Sequence, residues 1–134
     1  YNVDFASIGT NDLQQYTMAA DRMQGELAEL LNPWEPALLD VIALACEGGQ
    51  AMGKPIGVCG EAGGDPALAL VLTGLGVSSL SMAPGKVPAV RTSLGLHTLV
   101  QCQQMAAAAR AASDAAQARD AVLEMADPVL IDLL

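Results

Sequence analysis

Three short runs punctuate this chain, at 3–8 (VDFASI), 56–59 (IGVC) and 77–82 (VSSLSM), and each leads through a glycine-bearing polar stretch into a longer segment. Short, largely apolar runs bounded by turn residues suit buried strands. The segments between them carry helical spacing, and parallel strands need such crossovers. The order β-α-β-α-β-α-α predicts a parallel α/β arrangement. Three strands are too few for a covered sheet or a closed barrel, so the chain reads as part of an α/β protein.

Within this frame the first run ends at Gly9, and Gly9-Thr10-Asn11-Asp12 is expected to be a loop. Residues 13–32 show helical spacing at Leu27, Leu30 and Leu31 until Asn32-Pro33 breaks it. Leu38, Val41, Ile42 and Ala45 predict a helix from Pro36 to about Met52, with Gly53 beyond its end. Asp65-Pro66 is a helix start with Asp as cap, and ALALVLTGLG carries that helix to Gly74 or Gly76. Another helix is expected from about Lys86 to Leu94, and Ala-rich helix through most of 98–126. No linker divides the chain into two domains, and no internal repeat is visible.

Composition narrows the function classes. With 134 residues, 52% of them hydrophobic but only 3% aromatic, a core must come from Ala, Leu, Val and Met. That excludes a disordered polyanion. Six Lys and Arg against fifteen Asp and Glu give a net charge of −9, which argues against nucleic acid and against an anionic membrane surface. Cys46, Cys59 and Cys102 are widely spaced, and His97 is the single histidine. This argues against structural zinc and disulfides and fits a reducing cytosol. The apolar runs are too short for a bilayer, the N-terminus does not read as a signal peptide, and residue 1 reads as the interior of a longer protein.

Parallel α/β proteins bind ligands at the C-terminal ends of their strands. At the first such end, Asp12 could hold Mg²⁺ and Asn11 could donate to a phosphate or carboxylate. Either could equally bond its own backbone in a turn. At the second, Cys59 is a nucleophile or acid, or else a small buried apolar residue. Glu61 is read as a structural partner for nearby backbone. Arg22 suits bidentate recognition of phosphate, or is a surface arginine. His97 is expected at the surface or in a cap, Cys46 and Cys102 in the core, and Met18, Met23, Met52 and Trp34 in packing. The acidic, Ala-rich tail is expected to be a solvated helical face unless it meets a partner.

Taken in order, Ser7-Ile8-Gly9-Thr10-Asn11-Asp12-Leu13, Gln15-Tyr16-Thr17-Met18-Ala19 and Asp21-Arg22 resemble the phosphoenolpyruvate-utilising enzymes. Gly57-Val58-Cys59-Gly60-Glu61 with Gly64-Asp65 continues the resemblance, as do Gly74-Leu75-Gly76, Leu80-Ser81-Met82 and Val87-Pro88-Ala89-Val90-Arg91. The match spans roughly 3–95, and the motifs look most like the Enzyme I family of the bacterial sugar phosphotransferase systems. The resemblance implies the last three β/α units of a (β/α)8 TIM barrel over residues 1–97, with 98–134 as C-terminal helices of the same domain.

It also implies transfer of phosphoryl from phosphoenolpyruvate to a histidine of a separate N-terminal domain, releasing pyruvate, and onward transfer to the carrier protein HPr for sugar uptake. Asn11 would bind phosphoryl oxygens, Asp12 would hold Mg²⁺, and Arg22 would bind substrate anionic groups. Cys59 would be the acid that protonates the enolate carbon. The family's second metal carboxylate and further substrate arginines lie on strands absent here, so the chain alone is expected to be inactive. A cytoplasmic homodimer is the implied state. Two other readings stand beside this one: part of a pyruvate phosphate dikinase or phosphoenolpyruvate synthase, and a non-catalytic association module.

Overall fold

A computed structural model describes residues 2–134. Strand β1 (Ala6–Gly9) leads directly into helix α1 (Thr10–Met18), and a 3-10 helix follows at Gly25–Leu31. Helix α2 (Pro36–Ala51) precedes β2 (Ile56–Cys59), and α3 (Pro66–Leu75) precedes β3 (Ser79–Leu80). Helices α4 (Val87–Gly95), α5 (Leu99–Ala111) and α6 (Ala115–Met125) complete the chain with a terminal 3-10 helix, Pro128–Leu133.

The three strands form one parallel sheet in the order β1-β2-β3, as expected. Ala6 pairs with Ile56, Ile8 with Val58 and Gly9 with Cys59, while Gly57 and Val58 face Ser79 and Leu80. Side chains alternate across a strand, so the sheet has two unlike faces. Ile56 and Val58 are buried, and Ile8 and Leu80 pack beside them against the core. Ser7 and Ser79 are exposed on the other face, with half-buried Gly57 between them and half-buried Cys59 further along. The helices therefore cover one face only.

Helix α3 is the centre of the core: Ala67 through Leu72 are all fully buried. Its capping works as the sequence suggests. The Asp65 carboxylate accepts from Ala67 N at 2.9 Å and Leu68 N at 3.3 Å, and Pro66 opens the helix. The other carboxylate oxygen accepts from the Trp34 indole at 3.4 Å, tying the buried packing anchor at 34 to the helix start.

Several expectations are corrected. The polar stretch after β1 is helix from Thr10, where Asp12 in the first turn complements the positive helix end. Residues 13–32 hold only the end of α1, a left-handed Ala19 (φ 50°) and the 3-10 helix. The third strand is shorter than 77–82, although Ser78 N and Ser81 N still donate to Ile56 O and Val58 O at 2.8 and 2.9 Å.

The Ala-rich region is two helices, because Ala112–Asp114 breaks it and Asp114 caps the second through Gln117 N at 2.8 Å. One face of each helix is solvated as expected, while the other packs: Met105, Ala106, Ala109, Ala115, Ala118 and Val122 are buried in the core against α3. Small side chains allow that approach, and Gly74 shows its limit, since a Cβ there would collide with the Cys102 carbonyl. Met23 (83% exposed) and Met52 are solvent-exposed, not packing residues, whereas Cys46 and Cys102 are core as expected.

Candidate active site

The parallel register brings the ends of β1 and β2 side by side, so the two stretches singled out in the sequence become neighbours. Thr10, buried at the start of α1, donates from Oγ1 to Cys59 O at 3.4 Å. Gly60 turns left-handed at φ 97° and lies beneath α1. A Cβ at that position would stand 3.2 Å from Thr10 Oγ1 and 3.8 Å from Asn11 Nδ2. Glycine thus serves both the backbone turn and the close approach of the Thr10 hydroxyl, with the Asn11 amide in ordinary contact beyond it. The Cys59 thiol donates to Ile8 O at 3.5 Å and stays half-buried on the open side of the sheet. Burial pushes the other two thiols, Cys46 and Cys102, upward in pKa, with a backbone hydrogen bond partly offsetting this at Cys102.

Asp12 is exposed, with Oδ2 3.6 Å from where a Gly9 Cβ would be. It fits a Mg²⁺ that keeps most of its waters and takes one carboxylate plus substrate oxygens. Among the described residues no three His, Cys, Asp or Glu side chains converge, so the chain offers no complete protein cage for a metal. Arg22 is exposed on the turn after α1, where its backbone N–H donates to Gln15 Oε1 at 3.1 Å. Asn11 and Asp12 in the first turn of α1 and Cys59 at the end of β2 are therefore neighbours in the fold, and of the four candidates, Arg22 included, only Asn11 lines the cavity at this end of the sheet.

A cavity of about 1020 Å³ opens at this end of the sheet, running from Asn11, Gly60 and Glu61 to Ser81, Met82, Lys86, Arg119 and Leu133. Glu61 is exposed and makes no hydrogen bond or ion pair among the described residues, so its expected structural role is not found. Lys86 and Arg119, which no local motif marks, also line this cavity, brought there by the fold alone. His97 was expected at the surface or in a cap, and it is a half-buried bridge. Its Nδ1–H donates to Ser93 O at 2.7 Å and its Nε2 accepts from Asp127 N at 2.9 Å. The tautomer follows from the partners, since Asp127 N–H can only donate.

The model for the PEP-binding domain of the PEP-utilising enzymes matches residues 1–98, and the chain belongs to that family. Among curated relatives, a phosphoenolpyruvate-protein phosphotransferase of Streptomyces coelicolor is 59% identical over 119 residues, covering 89% of this chain and 21% of the relative. One from Bacillus subtilis is 47% identical over 92 residues, covering 69% of this chain and 16% of that protein. A multiphosphoryl transfer protein of Xanthomonas campestris is 43% identical over 118 residues, covering 88% and 14% respectively. The chain spans about a fifth or less of the length of these relatives. Among the described residues no helix is long and apolar enough to cross a membrane.

Proposed function

We propose that this chain is the PEP-binding portion of a longer phosphoenolpyruvate–protein phosphotransferase. In that enzyme phosphoryl passes from phosphoenolpyruvate to a histidine in a separate domain, and then to HPr for sugar uptake. One observation carries the reading: the Asn11 amide and the Cys59 thiol lie on adjacent strand ends around Gly60. Asn11 binds the phosphoryl oxygens, and Arg22 extends its long side chain from the turn after α1 to the substrate's anionic groups. The Cys59 thiol turns from Ile8 O to deliver its proton to the enolate methylene carbon as the phosphorus–oxygen bond breaks, leaving pyruvate and a thiolate that is reprotonated from solvent. Asp12 would hold Mg²⁺, which when bound offsets charge on the transferring phosphoryl group.

The one-sided sheet supports a place in a barrel. Parallel sheets are ordinarily covered on both faces, and here Ser7, Gly57, Ser79 and Cys59 would line an interior that five further strands of a (β/α)8 barrel complete. Residues 1–97 are then its last three units and 98–134 its closing helices, in a cytoplasmic homodimer.

The test is pyruvate release from phosphoenolpyruvate with Mg²⁺ and HPr, in the full-length enzyme and in this chain. Cys59→Ala in the full-length enzyme is expected to slow release by about a hundredfold or more, and the isolated chain to release none. Unchanged release by the Cys59→Ala enzyme removes the acid assignment. Pyruvate release by the Asp12→Ala enzyme that keeps the Mg²⁺ dependence of the unaltered enzyme removes the metal assignment.

A further inference from the structure

We infer that Thr10 is a positioning residue for the Cys59 thiol. Its buried hydroxyl fixes the end of β2 against the start of α1, so the thiol turns from a backbone that is held in place. The inference deepens the proposed function and rests on it for what the thiol does.

The hydroxyl has an unusual destination. Thr17 in α1 and Thr92 in α4 donate to carbonyls four residues back in their own helices, Leu13 O at 2.7 Å and Pro88 O at 2.9 Å. That is the ordinary habit of helical threonine. Thr10 is the first residue of α1, and four residues behind it stands Ala6 in β1. Its Oγ1 instead donates to Cys59 O, 49 residues away, at 3.4 Å. Thr10 is 1% exposed. A hydroxyl buried so deeply is costly without a partner, and Cys59 O supplies it.

Cys59 is thereby tied to the first β/α unit through two of its groups. Its carbonyl accepts from Thr10 and its thiol donates to Ile8 O at 3.5 Å, on either side of the pair Gly9–Cys59 that ends the β1–β2 register. Past that pair the chain turns at once through left-handed Gly60, where a Cβ would stand 3.2 Å from Thr10 Oγ1. When the thiol leaves Ile8 O to give up its proton, the carbonyl tie remains. It keeps Cys59 beside the first turn of α1, where Asn11 follows Thr10 directly. One threonine thus sets the spacing between the amide that binds phosphoryl oxygens and the thiol that supplies the proton.

The test removes the hydroxyl in two ways and keeps it in a third. Thr10→Val and Thr10→Ala both lack it, so poor folding of one leaves the other to be read, and Thr10→Ser retains it. In this chain a disulfide reagent is expected to modify Cys59 about fivefold faster in the Val and Ala variants. In the full-length enzyme the same two variants are expected to lose about fivefold in kcat for pyruvate release, with KM for phosphoenolpyruvate unchanged. Thr10→Ser should recover most of both. Thiol rate and kcat unaltered in the Val and Ala variants overturn the assignment, and so does a Ser variant as impaired as Val. A raised KM with kcat intact also overturns it, because the hydroxyl would then serve Asn11 alone. The proposed function fails differently: Cys59→Ala leaves pyruvate release undiminished, while the thiol rate still responds to Thr10→Val.

Discussion

Cys46, Cys59 and Cys102 share one chemistry and differ in how far the fold lets solvent reach them. Cys46 and Cys102 are 3% and 2% exposed, and Cys59 is half-buried at the cavity end of β2. A thiol must ionise to react with a disulfide reagent. One fast-reacting thiol, Cys59, is therefore expected in the native chain and three in denaturant; three fast thiols under native conditions would contradict the packing. The raised pKa values of Cys46 and Cys102 also have a stability consequence. Their protonated forms are favoured in the folded state, so stability is full below the unfolded thiol value, about 8.5. It falls as pH rises beyond that, because the unfolded state loses its protons first. Urea midpoints that fall above about pH 8.5, and fall less in Cys46→Ala/Cys102→Ala, are the expected result.

At the scale of elements, the segment after α6 is fastened by a side chain that is remote in sequence. His97 joins the C-terminal end of α4 to the start of the terminal 3-10 helix through both ring nitrogens. Asp127 in turn caps that helix through Val129 N at 2.9 Å. His97→Phe keeps an aromatic ring and deletes both bonds. It is expected to cost about 1–3 kcal/mol, chiefly by leaving Asp127 N–H without its partner, since Ser93 O still accepts from Leu96 N at 3.2 Å. Hydrogen exchange at Asp127 should quicken with it. Exchange at the unaltered rate would mean that the burial of Leu130 alone holds the segment. The same element-level view explains the Gly63–Gly64 pair: these glycines serve loop-to-loop approach to Ser81 and Lys86.

For the whole molecule, the outstanding property is an unbalanced sheet. Both outer strands are edges among the described residues, one face is open, and Val3 and Phe5 beside β1 are 58% and 68% exposed. Unpaired strand edges and exposed apolar side chains invite association. The isolated chain is expected to self-associate as its concentration rises, and Phe5→Lys to reduce this, measured by sedimentation velocity. A strictly monomeric chain at all concentrations would show that the net charge of −9 is enough to keep the open side apart.

What the amino-acid order settled by itself was local. Asp65-Pro66 set the start of α3, Pro36 that of α2, and the run 56–59 its strand, since caps, proline and short apolar runs act over a few residues. The motifs around Asn11 and Cys59 also marked two strand ends that the fold sets side by side. Tertiary structure decided the rest. Parallel pairing across 49 residues joined Thr10 to Cys59, and packing on α3 turned an Ala-rich tail into core. It also brought Arg119 and Lys86 to the lining of one cavity, and bound His97 to Asp127. Such contacts depend on which surfaces meet once the chain has collapsed, and no spacing along a single strand or helix encodes that distance.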